Sequence, residues 1–153
     1  MKNNVVGIVI SVIVLFMSLI VLPTYFIGIV NWRNDRAICL SAARNFVDMV
    51  IDNGYVSEKA LADLNLSIAS CSTTYSYEYY REEKITNPGV IGGDDFETTW
   101  VYVEVTPDTK WRKGDIVTIV ITQESVNIFQ RIAASILGTP FYDTNIRIPG
   151  MVR

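Results

Sequence analysis

Apolar residues run almost without interruption from Val5 to Val30, and no charged side chain occurs between Asn3 and Trp32. At ~1.5 Å per residue a helix over Val5–Val30 extends roughly 39 Å, more than the ~30 Å of bilayer hydrocarbon. The pattern predicts one membrane-spanning helix with some tilt. A cleaved secretory signal fits poorly, because its apolar region is only about 7 to 15 residues long and ends at a small-residue cleavage site. Pro23 and Gly28 fall in the second half of the span. There a proline removes a backbone donor and tends to kink the helix.

Beyond the span the period changes. Cys39, Ala42, Ala43, Phe46, Met49 and Val50 recur every three or four residues from about Asn34 to Asp52, the stripe of an amphipathic helix that continues the membrane helix. Asn53 and Gly54 provide a left-handed stop, and Ser57 caps a second helix with Leu61, Leu64, Ile68 and Cys71 on one face. After Cys71 the spacing becomes alternation, and three strands are expected at Thr74–Glu82, Glu97–Thr106 and Asp115–Gln123. Loops rich in Gly and Pro are expected over Glu83–Phe96 and Pro107–Gly114. Val126–Leu137 returns to helical spacing with a wide apolar face and is expected to pack on the sheet. Placement of that helix on the membrane surface is the alternative, disfavoured because Arg131 is its one basic residue. Phe141–Ile148 reads as a final strand ended by Pro149 and Gly150. The fold class expected is α+β: an anchor helix over 1–32, then one extracytoplasmic domain over 33–153 with a helical hairpin, a small antiparallel sheet and one further helix.

Charge changes the picture in two ways. Of the 13 Lys and Arg only Lys2 precedes Trp32, and all 16 Asp and Glu follow it, without a basic stripe, so nucleic acid is not an expected partner. Lys2 on one side of the span faces Arg33, Arg36 and Arg44 on the other, which is a weak argument against an outward head. The cysteines argue the other way. Cys39 precedes Asn53 by as many residues as Cys71 follows Ser57, so in an antiparallel hairpin with arms of roughly 21 Å they meet. Outside the cytoplasm they can form a disulfide; otherwise they are two small buried apolar residues.

The chain has no histidine, which removes the usual general base, zinc ligand and pH switch together. Two cysteines do not complete a structural zinc site, and no spacing joins a nucleophile to a base. No catalytic residue, metal or cofactor is expected. Gly92-Gly93-Asp94-Asp95-Phe96 is similar to the signature loop of diguanylate cyclases, but the alternating βα framework that such a loop requires is missing, and the composition is that of an ordinary hairpin loop. Tyr75, Tyr77, Tyr79, Tyr80, Trp100, Tyr102 and Trp111 have two readings: aromatic cross-strand pairs that stabilise a sheet, or an exposed face for a neighbouring subunit.

The order of an apolar helix, an amphipathic continuation and a small sheet resembles pilin-like subunits. More narrowly, Ala42–Val50, Asn53–Ser57 and Leu61–Leu64 resemble the post-anchor region of TadE-like minor pilins and their Gram-positive relatives. Val117–Ile121, the apolar helix through Leu137 and Ile146–Ile148 are similar to that family's closing elements. The resemblance implies a non-catalytic subunit of a Tad or type IV-like pilus or secretion system, working by packing against other pilin-like subunits, inner-membrane platform proteins and membrane lipid. It also implies processing between Gly7 and Ile8, although the glutamate expected five residues after the glycine is replaced by Val12. The alternative is a single-span, membrane-anchored binding or scaffold module of a conjugation or secretion complex.

Overall fold

A computed structural model describes residues 2–87, 97–103, 105, 110–138 and 145–153. One helical rod begins the chain. It comprises α1 (Lys2–Phe16), a π-helical stretch (Met17–Val21) and α2 (Leu22–Asn53). The π stretch has a local cause at Pro23, which supplies no N–H and crowds the preceding turn. The ladder widens there, with Leu22 N–H bonding to Met17 O. Ser18 and Thr24 hydroxyls donate to Leu15 O and Ile20 O, at 3.1 and 2.7 Å. The helix absorbs the proline without breaking.

The rod ends as its residues predict. Gly54 adopts φ 70°, and its N–H caps Val50 O at 2.8 Å. Ser57 accepts a hydrogen bond from Ala60 N at 3.2 Å and starts α3 (Glu58–Ala69). Helix α3 folds back on α2 and buries Ala60, Leu64 and Ile68 against it.

Strands β1 (Tyr75–Asn87), β2 (Glu97–Val103), β3 (Ile116–Gln123) and β4 (Asn145–Met151) form an antiparallel sheet in the order β2-β1-β3-β4. Strand boundaries differ from the expectation: β2 ends at Val103, with Val105 outside it, and β1 and β4 both run on past their expected ends. β1 continues through Asn87 because it serves two partners: Tyr75–Glu82 pair with β3, and Arg81–Asn87 with β2. The first residues expected in a loop are therefore strand, and the Gly92–Phe96 stretch lies outside the described residues. At the other end, Pro149 and Gly150 do not stop β4 but continue it, opposite Thr118 and Val117. β4 is an edge strand, where a residue without an N–H is tolerated. Gly150 is needed for another reason: a Cβ there would fall 2.3 Å from Val47 Cγ1 and 2.8 Å from Ile51 Cδ1 on α2.

Alternation puts Tyr75, Tyr77 and Tyr79 of β1, Val117, Ile119 and Ile121 of β3, and Ile146 and Ile148 of β4 on one sheet face. That face packs on the α2 stripe of Cys39, Ala42, Ala43, Phe46, Val47 and Val50. Each fully buried Phe, Val or Ile stabilises by about 1.5–3 kcal/mol, so this single layer contact dominates the head.

Helix α4 (Ile128–Leu137) departs most from expectation. Its described packing is on α2, not on the face of the sheet. Asn127 and Gln130 form a reciprocal capping box, and the Gln130 side chain is buried against Gln123 at the end of β3, with Gln123 Nε2 2.9 Å from Gln130 Oε1. These bonds set the direction in which α4 leaves the sheet and carry it to the rod.

Candidate functional site: the apolar rod and its junction with the head

The first half of the rod is apolar on every side. Val5, Ile8, Val12, Leu15, Leu19, Phe26 and Val30 are all exposed, as are most of the side chains between them, whereas Val21, Tyr25 and Ile29 are half-buried and Gly28 is buried. A continuous helix from Asn4 to Asn53 contains a stretch long and apolar enough to cross a membrane, and none of that stretch is buried within the chain. From Asp35 onward the same rod is the central element of the core. No linker separates the two roles. Gly7 and Ile8, the expected processing site, both lie within α1; Ile8 is exposed, and a Cβ added at Gly7 would meet nothing.

At the junction, α4 lies against the rod. Phe129 occupies the space left by Gly28, where a Cβ would be 2.3 Å from Phe129 Cγ and 2.4 Å from its Cβ. Tyr25 meets Phe129 edge to face, with ring centroids 5.2 Å apart. Below this contact Ile20, Val21, Thr24, Tyr25, Phe129 and Ile132 line an apolar cleft of about 220 Å³. Gly28 thus serves close approach rather than a kink.

A polar latch sits just above. Asp35 is 3% exposed and accepts three hydrogen bonds from the turn after α3: Ser72 N at 3.0 Å, Ser72 Oγ at 2.6 Å and Thr73 Oγ1 at 3.2 Å. One turn further along α2, Cys39 Sγ stands 3.7 Å from Cys71 Sγ. The expected meeting of the cysteines is observed, with both as thiols. Burial pushes the Cys39 thiol up to about 12, with Cys71 and Asp35 adding to the shift, and burial also raises Cys71. Both are therefore protonated and poorly nucleophilic at neutral pH.

The aromatic residues do not share one open face. Tyr75 and Trp111 are buried, Tyr79 packs on Phe46 at 5.5 Å between centroids, and Tyr77 donates to Asn65 Oδ1 of α3 at 2.9 Å. Tyr80 lies on the opposite face, with the Arg147 guanidinium 5.8 Å from its ring centroid. Trp100 and Tyr102 stand across from Lys84 and Glu82 in the β1–β2 register; their side chains lie outside the described residues. Core packing accounts for Tyr75, Tyr79 and Trp111, while Tyr80 is half-buried on the outer face.

Three charged residues that the sequence does not mark out, Asp35, Arg81 and Asp115, are buried in the head. Arg81 is buried, with Nε 2.8 Å from Asp115 Oδ2 and Nη2 3.2 Å from Glu83 Oε2. Asp115 also accepts from Arg112 N at 2.6 Å. Period-two spacing from Tyr75, Tyr77 and Tyr79 places Arg81 on the inward face. Asp35 likewise extends the stripe Cys39–Ala42–Phe46 by one turn. Among the described residues no group of three or more Cys, Asp or Glu is arranged to hold a metal ion.

Comparison with known proteins finds no matching family model, no matching curated protein and no matching solved structure. The functional reading therefore rests on the chain's own geometry.

Proposed function

We propose that this chain is a non-catalytic, membrane-anchored subunit of a pilin-like assembly, with its head outside the cytoplasm and its work done by packing. The observation that carries the reading is the single rod, apolar all round in its first half and the central core element in its second. An uninterrupted apolar helical surface is not stable in water, and only lipid or other apolar helices satisfy it. Because that helix continues into the core, the head is held at a set position above the bilayer, as a subunit that must meet neighbours in register requires. Other pilin-like subunits and inner-membrane platform proteins are the partners of this reading.

The test is cysteine crosslinking along α1. Single cysteines replacing Val5 to Leu15, in a chain lacking Cys39 and Cys71, are oxidised in native membranes. Crosslinks recurring with helical period, to this chain or to another apolar-helix protein, support the proposal. An absence of crosslinks at every position overturns assembly through the rod.

A permanently anchored scaffold is the second reading. Val12, where a processed pilin of this type carries glutamate, and α4 seated on Gly28 both favour it. Release into a filament would have to carry α4 along with the rod.

A further inference from the structure

We infer that α4 is a second bilayer contact and that the cleft between it and the rod is filled by a lipid acyl chain. The inference rests on the membrane-anchored reading above. Its ground is depth. Gly28 precedes Arg33, the first charge after the span, by about 7 Å of helix, and Ile20 precedes it by about 20 Å. Every rod residue lining the cleft therefore belongs to the charge-free segment, at a level where the rod's other sides face hydrocarbon. A head element docked at that level enters the same layer.

The chemistry of the cleft selects the occupant. Ile20, Val21, Tyr25, Phe129 and Ile132 offer it apolar surface. The one hydroxyl on an aliphatic lining residue, that of Thr24, is already bonded to Ile20 O at 2.7 Å. A polar ligand would find little to replace its hydration there, whereas a methylene chain loses nothing by entering. Ile132 remains 40% exposed at the cleft's edge and Val126, just before α4, 41% exposed. In lipid such exposure carries no hydration cost. Arg131 is exposed beside Ile132, and its long stem can keep the guanidinium at headgroup level while its neighbour stays in the apolar layer. Trp32 marks the aromatic zone between hydrocarbon and water on the rod, and Tyr25 lies about 10 Å deeper. A covalently continuous span already holds α4 at this depth, so a basic stripe is not required to keep it there.

The test uses the full chain in phosphatidylcholine–phosphatidylglycerol vesicles, with an environment-sensitive fluorophore on one introduced cysteine at a time: I132C at the cleft, I13C within the span and K59C on exposed α3. Labelling is done both with Cys39 and Cys71 replaced by alanine and with them retained, so that misfolding of either background is recognised. Quenching by doxyl-labelled lipid is compared with quenching by aqueous iodide. The expected result is that I132C follows I13C, quenched several-fold more by doxyl lipid than K59C and protected from iodide. In a G28L chain, which evicts Phe129, the I132C probe should shift toward iodide. If I13C is lipid-quenched while I132C behaves as K59C does, α4 is in water and the inference is overturned. If I132C is shielded from both quenchers, protein fills the cleft, and the lipid occupant is overturned. If I13C itself escapes lipid quenching, the anchored reading fails and takes the inference with it.

Discussion

Phe129 sits where a side chain on Gly28 would be: a Cβ there would lie 2.3 Å from Phe129 Cγ. The contact joins the last apolar turns of the rod to a helix more than ninety residues later in the chain, and it separates two properties usually measured together. Gly28→Ala should favour the isolated helix by about 1 kcal/mol yet weaken the docking of α4. Amide exchange over Ile128–Leu137 should accelerate in this variant while β3 amides keep their protection. Phe129→Ala should have the same regional effect, with a loss of about 3 kcal/mol. Uniform acceleration through β3 would show that α4 is part of the head's cooperative core instead.

Removal of the Asp35 carboxylate should be costly because three donors converge on it in a buried site. Asp35→Ala should destabilise the head by about 2–4 kcal/mol, since buried donors lose a charged acceptor. Asp35→Asn keeps one acceptor oxygen and should recover part of that. Denaturant midpoints in detergent, read by tyrosine and tryptophan fluorescence, measure the difference.

The thiol pair predicts an alkaline weakness. A thiol whose folded pKa is raised from 9.0 to about 12, as at Cys39, contributes no pH-dependent loss below pH 9, where it is protonated in both states. Between pH 9 and about 12 only the unfolded chain releases the proton, so stability falls as pH rises. The reduced protein should lose stability steeply over that window. A disulfide between Cys39 and Cys71 removes this contribution, leaving that of the Tyr75 phenol, which burial also pushes up. Thermal melts of reduced and oxidised protein between pH 8 and 11 check the sign. At pH 8 the native thiols should also alkylate far more slowly than those of the denatured chain.

Gly150 and Val47 form a size pair across the β4–α2 contact. Gly150→Ala should cost about 1–3 kcal/mol through overpacking, given the 2.3 Å approach to Val47 Cγ1. Val47→Ala alone leaves a cavity. The double variant should be more stable than the sum of the two losses, and a double-mutant cycle on denaturant midpoints measures that coupling. Strict additivity would remove Gly150 from the packing argument.

Local signals account for what was legible in advance. The unbroken rod, the Gly54 stop, the Ser57 cap and the meeting of Cys39 with Cys71 all follow from spacing and short-range chemistry. The β-strand cores were legible for the same reason, because period two survives in Tyr75–Tyr79 and Val117–Ile121. What escaped depends on which element an apolar face finally meets. The stripe of α4 reads as packing on the sheet, yet an apolar stripe does not specify its partner; Gly28 and the Gln123–Gln130 bond turn the helix to the rod, and they are far apart in sequence. Pro149 and Gly150 read as a stop because nothing local reveals that β4 is an edge strand passing over α2. Asp35 and Arg81 are charges on apolar stripes, the pattern of a buried polar partner, although neither resembles a catalytic or ligand-binding motif.

The rod has one more consequence for a chain anchored as proposed. Since α2 belongs to the span and to the core alike, the head has no hinge with which to ignore the orientation of its anchor. The Asn53 end lies roughly 27 Å beyond Asp35, so a change of about 10° in tilt would swing it by about 5 Å. Helices commonly tilt to match the thickness of the bilayer around them. The thickness of the surrounding lipid thereby becomes a mechanical input to the head, read out as the height and angle at which its sheet is presented.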